Sequence, residues 1–385
     1  MNRLAPIILS VSVILSLGLT ACGGDDGKAA AKEAAVADYA AGVYASYQAV
    51  ATSAGALDKA IETLGSDPTE VNLEAARAAW LSARDDYGAT EAFRFYGGPI
   101  DDEENGVEGF VNAWPLDEAY IDYVEGNPSA GVINDAKAYP TIDRELLLSL
   151  NEKGGEANIS TGWHALEFLL WGQDLDESGP GTRAATDYSS ASGAKRRAEY
   201  LAVTSDLLQE HLGALVKAWA PGADNYRAEF EALEPDEALR RIITGIGELS
   251  RGELAGERMN VAYSQRSQED EHSCFSDNTT ADFVANAKGI AAVIDGTYPA
   301  GSSVGLAEVV ATVDEDLAAR LRESVGQSVD LAGAIPAPFD QHLREGVSDD
   351  DPGRASILAT IESLEDQADA IVAAAAALGI TINLT

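Results

Sequence analysis

Two residues that often bind metal ions stand three positions apart in one of the most apolar stretches of the chain. His164 and Glu167 lie within residues 160–171, where nearly all the other side chains are apolar or small. If this stretch is a helix, the spacing places both side chains on the same face. Helical bundles hold metal ions in this way, with Glu and His three residues apart and directed inward. The pair is therefore a candidate for two ligands of a metal site that other helices complete.

The apolar setting of this pair requires a compensating partner. A helix that is apolar nearly all round is expected inside a bundle, where a carboxylate is costly unless it is paired, protonated or bound to a cation. One explanation is a metal ion bound by His164 and Glu167. The other is structural, with the two side chains satisfying each other or a nearby arginine. Gly162 is compatible with both, because it allows a neighbouring helix to come close.

The remaining histidines indicate which metals such a site would suit. The chain has four histidines, each isolated in the sequence: His164, His211, His272 and His342. The zinc-protease pattern H-E-x-x-H, which needs a second histidine on the same helix, is not present in the sequence. A site completed by carboxylates suits iron, manganese or calcium. The scarcity of histidines argues against a histidine-rich zinc site. The residues alone therefore leave iron, manganese and calcium open, and they disfavour zinc.

Three further acids are candidates to complete the site. In order of preference they are Glu91, Asp277 and Glu271, and each could instead be solvated or cap a helix. Glu91 stands three residues before Arg94, and Arg183 is a candidate counter-charge in the core. These acids and arginines are distant from residues 160–171 in sequence, so only the fold can bring them to the pair.

The elements that must position these residues are helices. Long stretches carry helical patterns, and only short pieces such as residues 379–385 favour a strand. One predicted helix starts within residues 67–70 and runs towards residue 93, where Glu91 lies. The fold class is therefore predicted as all-α, built from helical bundles. Besides residues 160–171, the other predicted helices cover residues 29–64, 192–219, 235–265, 279–294, 306–331 and 352–378.

Two helical-bundle domains are predicted. A Pro-Gly step at residues 221–222 is a plausible boundary. It divides the chain into an N-terminal bundle at residues 36–220, which carries His164 and Glu167, and a C-terminal bundle at residues 221–385. A distant internal duplication is a further hypothesis, because residues 80–93 and 257–271 both read as helices that end in acidic residues after a tyrosine.

The N-terminal residues predict export and a lipid anchor. Residues 1–21 combine a basic start with an apolar run of signal-peptide length, too short for a membrane span. Small residues precede Cys22, the expected lipidation site, and residues 22–35 are predicted as a flexible tether. The expected location is the cell envelope, in the outer membrane, facing the periplasm or the cell surface. If Cys22 carries lipid, Cys274 has no disulfide partner and is predicted to be buried.

The charge of the chain restricts its partners. The formal net charge is -38, and a surface of this sign repels nucleic acid, whose binding depends on Lys and Arg. It also disfavours contact with anionic lipid headgroups, so the membrane is expected to be contacted through the N-terminal lipid alone. The same surface attracts cations in general.

Several motifs together resemble a known family. Residues 162–167, which contain Gly162, His164 and Glu167, resemble the G-x-H-x-x-E motif of the imelysin family, which includes the iron-regulated protein A group. The likeness extends to residues 171–175, 179–188 and 271–279, and so covers most of the mature chain. The resemblance implies two helical-bundle domains, export to the cell envelope and a role in iron acquisition or iron-responsive physiology. Iron (Fe2+ or Fe3+) is therefore the expected metal, with zinc or calcium as weaker candidates. It also implies metallopeptidase activity as an alternative.

Three functions follow from these observations. The leading hypothesis is an envelope lipoprotein that binds a metal ion, iron, and takes part in iron uptake, with an envelope iron transporter as a possible partner. The second is a metal-dependent peptidase, which the missing H-E-x-x-H pattern disfavours. The third is a non-catalytic envelope scaffold, in which His164 and Glu167 form only a polar contact in the core.

Overall fold

The fold is almost entirely helical. The structure, a computed structural model, describes residues 24–175 and 178–384. Within these residues the only strands are β1 (Thr297–Tyr298) and β2 (Gly301–Ser302), which pair as a short antiparallel hairpin. The predicted all-α fold class is confirmed. The predicted signal peptide and the lipidation site Cys22 lie outside the described residues.

The α-helices differ widely in length. In the first part of the chain they are α1 (Gly24–Ser66), α2 (Glu70–Gly88), α3 (Glu108–Val111), α4 (Glu118–Ile121), α5 (Gly131–Asn134), α6 (Arg144–Leu150), α7 (Gly162–Trp171) and α8 (Ala194–Ala218). They continue with α9 (Tyr226–Glu231), α10 (Pro235–Glu248), α11 (Val261–Gln265), α12 (Thr279–Asp295), α13 (Leu306–Ala311), α14 (Glu315–Ala334) and α15 (Pro352–Ala377). A π-helix (Leu249–Asn260) joins α10 to α11, and 3-10 turns occupy Ala89–Phe93, Ala185–Tyr188, Gln268–Asp270 and Asp340–His342.

Most predicted helices are present, and four predictions need correction. Residues 306–331 do not form one helix: they divide into α13 and α14, because the Asp314 side chain accepts a hydrogen bond from the Leu317 amide (2.8 Å) and so starts a new helix. Residues 235–265 are helical, but a π-helix forms their centre. Residues 379–384 form no strand, and their apolar side chains pack onto the helical core instead. The predicted tether, residues 22–35, is helical from Gly24 onward as part of α1.

One connected apolar core runs through the described residues of both predicted bundles. Helix α1 packs against α2 and α8, and also against α10 and α13 of the second half. Helix α12 packs against α2 and the 3-10 turn at Ala89–Phe93, as well as against α14. The helices of the two halves therefore meet along α1, α2 and α12. The division at residues 220 and 221 stays a prediction.

Glycine 162 allows α7 to enter the core. Its φ angle is 88°, in the left-handed region that favours glycine, and a Cβ atom there would lie 2.5 Å from the Val111 carbonyl oxygen. At the other end of α7, the Arg77 guanidinium of α2 donates hydrogen bonds to the Leu170 carbonyl (3.0 and 3.1 Å). The Trp80 indole donates to the Trp163 carbonyl at 3.1 Å. Helix α7 is thus tied to α2 along its length.

A second close approach brings α12 to the end of α2. A Cβ atom at Gly289 would lie 2.3 Å from the carbonyl oxygen of Ala89. The absence of a side chain at this glycine allows α12 to lie directly on the 3-10 turn that follows α2. Polar side chains on α2, α7 and α12 can therefore meet inside the core.

Candidate metal centre

His164 and Glu167 form a buried pair on one face of α7. Both side chains are 0% exposed, and His164 Nδ1 lies 3.0 Å from Glu167 Oε2. The spacing of three residues produces this contact directly, because one helical turn separates the two positions. The pair is completely shielded from solvent, as the apolar sequence around it predicts.

The second oxygen of Glu167 is held by the segment that precedes α12. Ser276 donates its backbone N–H (3.0 Å) and its hydroxyl (2.7 Å) to Glu167 Oε1. Burial raises the pKa of Glu167 to about 8, although the hydrogen bond from the Ser276 hydroxyl opposes the rise. Glu167 is therefore largely protonated at neutral pH. Ser276 also lines a surface cavity of about 640 Å³ together with Trp171 and Arg183, so it connects Glu167 to the surface.

The imidazole of His164 is neutral and packed between aromatic and basic groups. Burial, and then the positive charge of Arg84, lower the pKa of His164 well below its usual value. The Trp114 ring lies against it with a centroid separation of 4.7 Å, and the His272 ring lies 5.0 Å away. Its Nε2 atom faces Arg84 Nη2 at 3.5 Å. Hence the two ring nitrogens face different partners, Glu167 and Arg84.

Arg84 stands at the centre of the polar network. Its guanidinium forms an ion pair with Asp282 of α12, with Nε–Oδ1 and Nη2–Oδ2 distances of 3.2 Å each. The same Nη2 atom lies 3.3 Å from His272 Nδ1, and Nη1 donates to Asn112 Oδ1. The residue is 1% exposed. One arginine thus contacts residues from four separate segments of the chain.

Asp282 contacts several members of this network. It lies 2.9 Å from His272 Nδ1 and accepts a hydrogen bond from the Ser273 hydroxyl at 2.6 Å. Burial alone would raise the pKa of Asp282, but Arg84 and His272 hold it well below its usual value. Burial, assisted by the charge of Arg258, lowers the pKa of His272 to about 4. At neutral pH the aspartate is therefore charged and the histidine is neutral.

Glu91, the first of the additional predicted ligands, is paired with arginines. Its Oε2 atom lies 2.6 Å from Arg94 Nη1 and 2.5 Å from Arg258 Nη2. Although burial opposes it, the pKa of Glu91 is held well below its usual value by these two cations. Its other oxygen lies 3.5 Å from Asn112 Nδ2, which links it to Arg84. The structure places Glu91 in the same polar network as His164, to which it is linked through Asn112 and Arg84.

Glu271 belongs to a different neighbourhood. Its side chain is buried, and neither carboxyl oxygen has a well-formed hydrogen bond to any of the described residues. Burial raises the pKa of Glu271 well above its usual value; the nearby Thr279 hydroxyl opposes the rise, and the charges of Asp340, Asp277 and Asp174 add to it. Asp277 itself adopts a left-handed backbone conformation, with φ at 56°.

The two supporting arginines have local counter-charges. Arg183 forms ion pairs with Asp122 (2.8 Å) and Asp187 (3.0 Å), and Asp122 is shared with Arg197. Arg94 binds Glu91, as described above, and also Glu108 at 3.1 Å. Arg183 is thus a counter-charge in the core, and it pairs with these two aspartates. It lies against the Phe168 ring of α7, with its guanidinium carbon 5.4 Å from the ring centroid.

The donors in the described part of the chain do not form an open metal site. Across residues 24–175 and 178–384, no three His, Cys, Asp or Glu side chains form a group that could hold a metal ion as they stand. The donor types are suitable, since imidazole and carboxylate are both present in a dry interior. What occupies the space between them is the guanidinium of Arg84.

The sequence reasoning missed Arg84, Asp282 and the role of His272. A usable signal existed for Arg84, which lies on the same helical stripe as the buried residues Trp80 and Tyr87. A charged residue on an apolar stripe needs a buried counter-charge. The sequence did not reveal that the counter-charge is Asp282, because the two residues are 198 positions apart.

Comparison with known proteins gives consistent results. A protein-family model described as Imelysin matches residues 43–371. "Iron-regulated protein A" from Synechococcus elongatus is 28% identical over 311 residues, which cover 78% of this chain and 75% of that protein. A solved structure of an iron-regulated protein A precursor from Parabacteroides distasonis has a TM-score of 0.71 and 17% identity, covering 89% of this chain and 94% of that one. At 17% identity the structural likeness shows the fold alone.

Proposed function

This chain belongs to the imelysin family, and we propose that it captures iron in the cell envelope at the buried network centred on His164 and Glu167. A relative that shares 28% identity carries the name iron-regulated protein A. Iron is then a cargo that the protein binds and passes on as part of iron uptake, with an envelope iron transporter as the recipient. The proposal is one of binding, not of catalysis.

The observation that carries this proposal is the state of the donor groups. His164 and His272 are buried and neutral, with pKa values lowered by burial, and a neutral imidazole is the form that binds a metal ion. Asp282 adds a carboxylate to the same network, and Glu167 adds a carboxyl group that must release its proton to bind the ion. Imidazole and carboxylate together suit iron better than they suit calcium, which prefers oxygen ligands alone. Zinc remains a weaker candidate on the same chemistry.

The proposed location rests on the sequence of the N-terminus. Residues 1–21 would direct export, and lipid on Cys22 would anchor the protein in the outer membrane, facing the periplasm or the cell surface. Within the described part of the chain, no helix is both long and apolar enough to span a bilayer. Fractionation of cells that express a Cys22→Ala variant tests the anchor: the variant should leave the membrane fraction, and its retention there would contradict a lipid anchor.

Calorimetric titration tests the capture of iron. Metal-free protein is titrated with Fe2+ under anaerobic conditions and with Fe3+ as a soluble citrate complex. The wild type should bind one of the two, and a His164→Ala/Glu167→Ala double variant should bind neither. His211→Ala is the matched control, because His211 is also a largely buried histidine but packs against Phe110, away from the pair. Wild-type protein that binds no iron would contradict the proposal.

One observation favours a purely structural role as the competing explanation. Each polar atom of His164 and Glu167 already has a protein neighbour, which is how a core polar contact is satisfied. On that reading, both the double variant and the single variants lower the free energy of unfolding, while iron leaves it unchanged. Thermal unfolding with and without iron separates the two functions, since a ligand of the native state must raise the Tm.

A further inference from the structure

Residues 180–184 have the pattern of an extended strand that is fixed to the protein along one edge. The backbone N–H groups of Gly181, Arg183 and Ala185 donate hydrogen bonds to other parts of the chain, at 2.9, 2.8 and 2.9 Å. The Arg183 carbonyl accepts a bond from Arg77 at 2.6 Å. In an extended backbone, the polar groups of successive residues point in opposite directions. The N–H groups of residues 182 and 184 are therefore directed away from the protein.

The opposite edge of this segment, formed by Thr182 and Ala184, faces solvent. Both residues are exposed, whereas Gly181 and Arg183 are buried. Within the described residues, neither exposed residue donates a backbone hydrogen bond. The Ala184 backbone lies in the extended region, with φ at -93° and ψ at 153°. Since a strand edge with free N–H groups is a template for pairing with another chain, we call residues 180–184 the edge segment.

Two surface cavities have the edge segment as a common wall. The first, of about 620 Å³, is also lined by Leu175 and Arg344. The second, of about 640 Å³, reaches between α2 and the end of α7, where Glu70 and Trp171 line it. Successive side chains of a strand point to opposite faces. A strand added at this edge would therefore bring its side chains to the walls of these cavities.

Exposed apolar side chains lie beside the edge segment. Among the described residues, the two most exposed large apolar side chains are Val71 (78%) and Leu175 (64%). Leu175 lines the first cavity. Val71 follows Glu70, whose carboxylate accepts a hydrogen bond from the Ala185 amide. Apolar groups that gather around a concave surface are typical of interaction sites.

The charge of the cavity walls favours a basic partner. Arg77 is paired with Glu74. Arg344 is paired with Asp340, so neither arginine offers a free positive charge. Glu70 lines the same wall as Arg77 and forms no ion pair within the described residues. The whole chain adds a formal net charge of -38, which attracts a positively charged partner.

We propose that the edge segment and its two cavities form a docking surface for an extended, basic segment of a partner protein. The backbone of the partner pairs with Thr182 and Ala184, and its apolar side chains cover Val71 and Leu175. Strand addition of this kind gains affinity from main-chain hydrogen bonds and specificity from pockets for alternate side chains. Docking at this surface is separate from the proposed capture of iron and does not require it.

Titration with short peptides tests this surface in metal-free protein. The probes are capped peptides of about six residues, a usual strand length, in which lysine alternates with valine, leucine or phenylalanine. Fluorescence anisotropy of the labelled peptide reports binding, and the wild type should bind at least one of the peptides. The same peptide with all its backbone amides N-methylated cannot pair with the edge segment, so it should bind at least about five-fold more weakly.

Ala184→Pro removes one exposed N–H and leaves the rest of the surface in place. Proline fixes φ at about -65°, which is close to the observed -93°, so the variant should fold. It should bind the peptide about five-fold more weakly than the wild type, the effect of roughly one hydrogen bond. Ala184→Val is the matched control, because valine suits an extended backbone and keeps the N–H. Thermal unfolding establishes that both variants are folded.

Hydrogen exchange followed by mass spectrometry gives a second readout, which needs no variant. Bound peptide should slow the exchange of amides in residues 179–186. The exposed loop at residues 101–106 is the internal control, and its exchange should not change.

Four results would each overturn the docking surface. They are no peptide binding by the wild type, equal affinities of Ala184→Pro and Ala184→Val, equal binding of the N-methylated peptide, and no added protection in residues 179–186. None of them bears on the titration with iron, which tests His164 and Glu167 instead.

Discussion

Two acids in the same buried network have opposite protonation states, and their immediate neighbours explain the difference. Burial acts on both in the same direction, since it disfavours the charged carboxylate. Asp282 lies against the guanidinium of Arg84, and its pKa is held well below the usual value. Glu167 is bound by the hydroxyl and amide of Ser276, and its pKa rises to about 8. A formal positive charge at contact distance outweighs burial, whereas neutral donors do not.

Glu271 gives a prediction about pH and stability. Burial raises the pKa of Glu271 above its unfolded value, so the folded state binds a proton that the unfolded state has released. Wild-type stability must therefore fall as the pH rises above the unfolded pKa and towards the folded one. Glu271→Gln removes this loss. We expect the free energy of unfolding of Glu271→Gln minus that of the wild type to increase by up to about 1.4 kcal/mol per pH unit between about pH 5 and 7.

Urea unfolding of both proteins at pH 5, 6 and 7 measures that difference, in which the titrations of all other groups cancel. Glu257→Gln, at an exposed position, is the control. A difference that stays constant or shrinks as the pH rises would show that Glu271 is ionised in the folded protein.

At this scale the sequence predicted part of the candidate site. The pattern of residues 160–171 predicted that His164 and Glu167 form a pair, because both the spacing and the apolar surroundings are local features. Arg84 and Asp282 are different, since each is an ordinary charged residue in a mixed helix. Their pairing joins residues 198 positions apart, and local sequence patterns contain no information about such a contact.

At the scale of elements, the π-helix Leu249–Asn260 is a feature that periodicity could not predict. Residues 235–265 have the apolar pattern of one α-helix, and the local change of pitch alters no residue type. The π-helix carries Glu253 and Arg258, and Arg258 reaches Glu91 at 2.5 Å and Asn286 at 2.5 Å. Wide helical turns are frequent at functional sites, and here one supplies an arginine to the buried network.

The contact between α12 and the end of α2 gives a prediction about one glycine. Gly289→Ala would place a Cβ atom 2.3 Å from the Ala89 carbonyl oxygen, so α12 must move away from the turn that follows α2. We expect this variant to lose about 1–3 kcal/mol of unfolding free energy. It should also weaken iron binding, because Asp282 lies on the same helix and would move away from Arg84.

Gly326→Ala is the matched control for this change. Gly326 lies within α14, is exposed, and its Cβ would meet no atom within 4 Å. Alanine has the higher helix propensity, so this variant should gain up to about 1 kcal/mol. Chemical denaturation measures both effects. Equal effects of the two substitutions would show that the contact at Gly289 does not constrain α12.

At the scale of the whole molecule, the sequence predicted the elements better than their arrangement. Helix signals, such as Asp351 before Pro352 at the start of α15, are local and were reliable. The meeting of α2 and α12 depends on shape complementarity between distant surfaces, including the missing side chain of Gly289. That complementarity is a property of the folded chain and not of any segment, so local patterns could not show that both predicted halves contribute to one apolar core.

The net charge gives a prediction that concerns the whole surface. A formal charge of -38 opposes the compact state through self-repulsion, because folding brings the carboxylates closer together. Salt screens interactions between exposed charges, with a Debye length of about 10 Å at 0.1 M and about 3 Å at 1 M. The Debye length shortens several-fold between about 0.05 and 1 M NaCl. Raising the NaCl concentration over this range should therefore raise the Tm steadily.

Salt also weakens the attraction within buried ion pairs, which would lower the Tm. This effect is small, because salt screens buried pairs much less than surface charges. Two buried ion pairs, Arg84 with Asp282 and Arg258 with Glu91, should therefore remain formed in about 1 M NaCl, where exposed pairs are largely screened. Sucrose at matched osmolality is the control, because it favours the compact state without screening charge. A Tm that falls with NaCl, or rises no more than in sucrose, would mean that favourable ion pairs outweigh the repulsion among the surface acids.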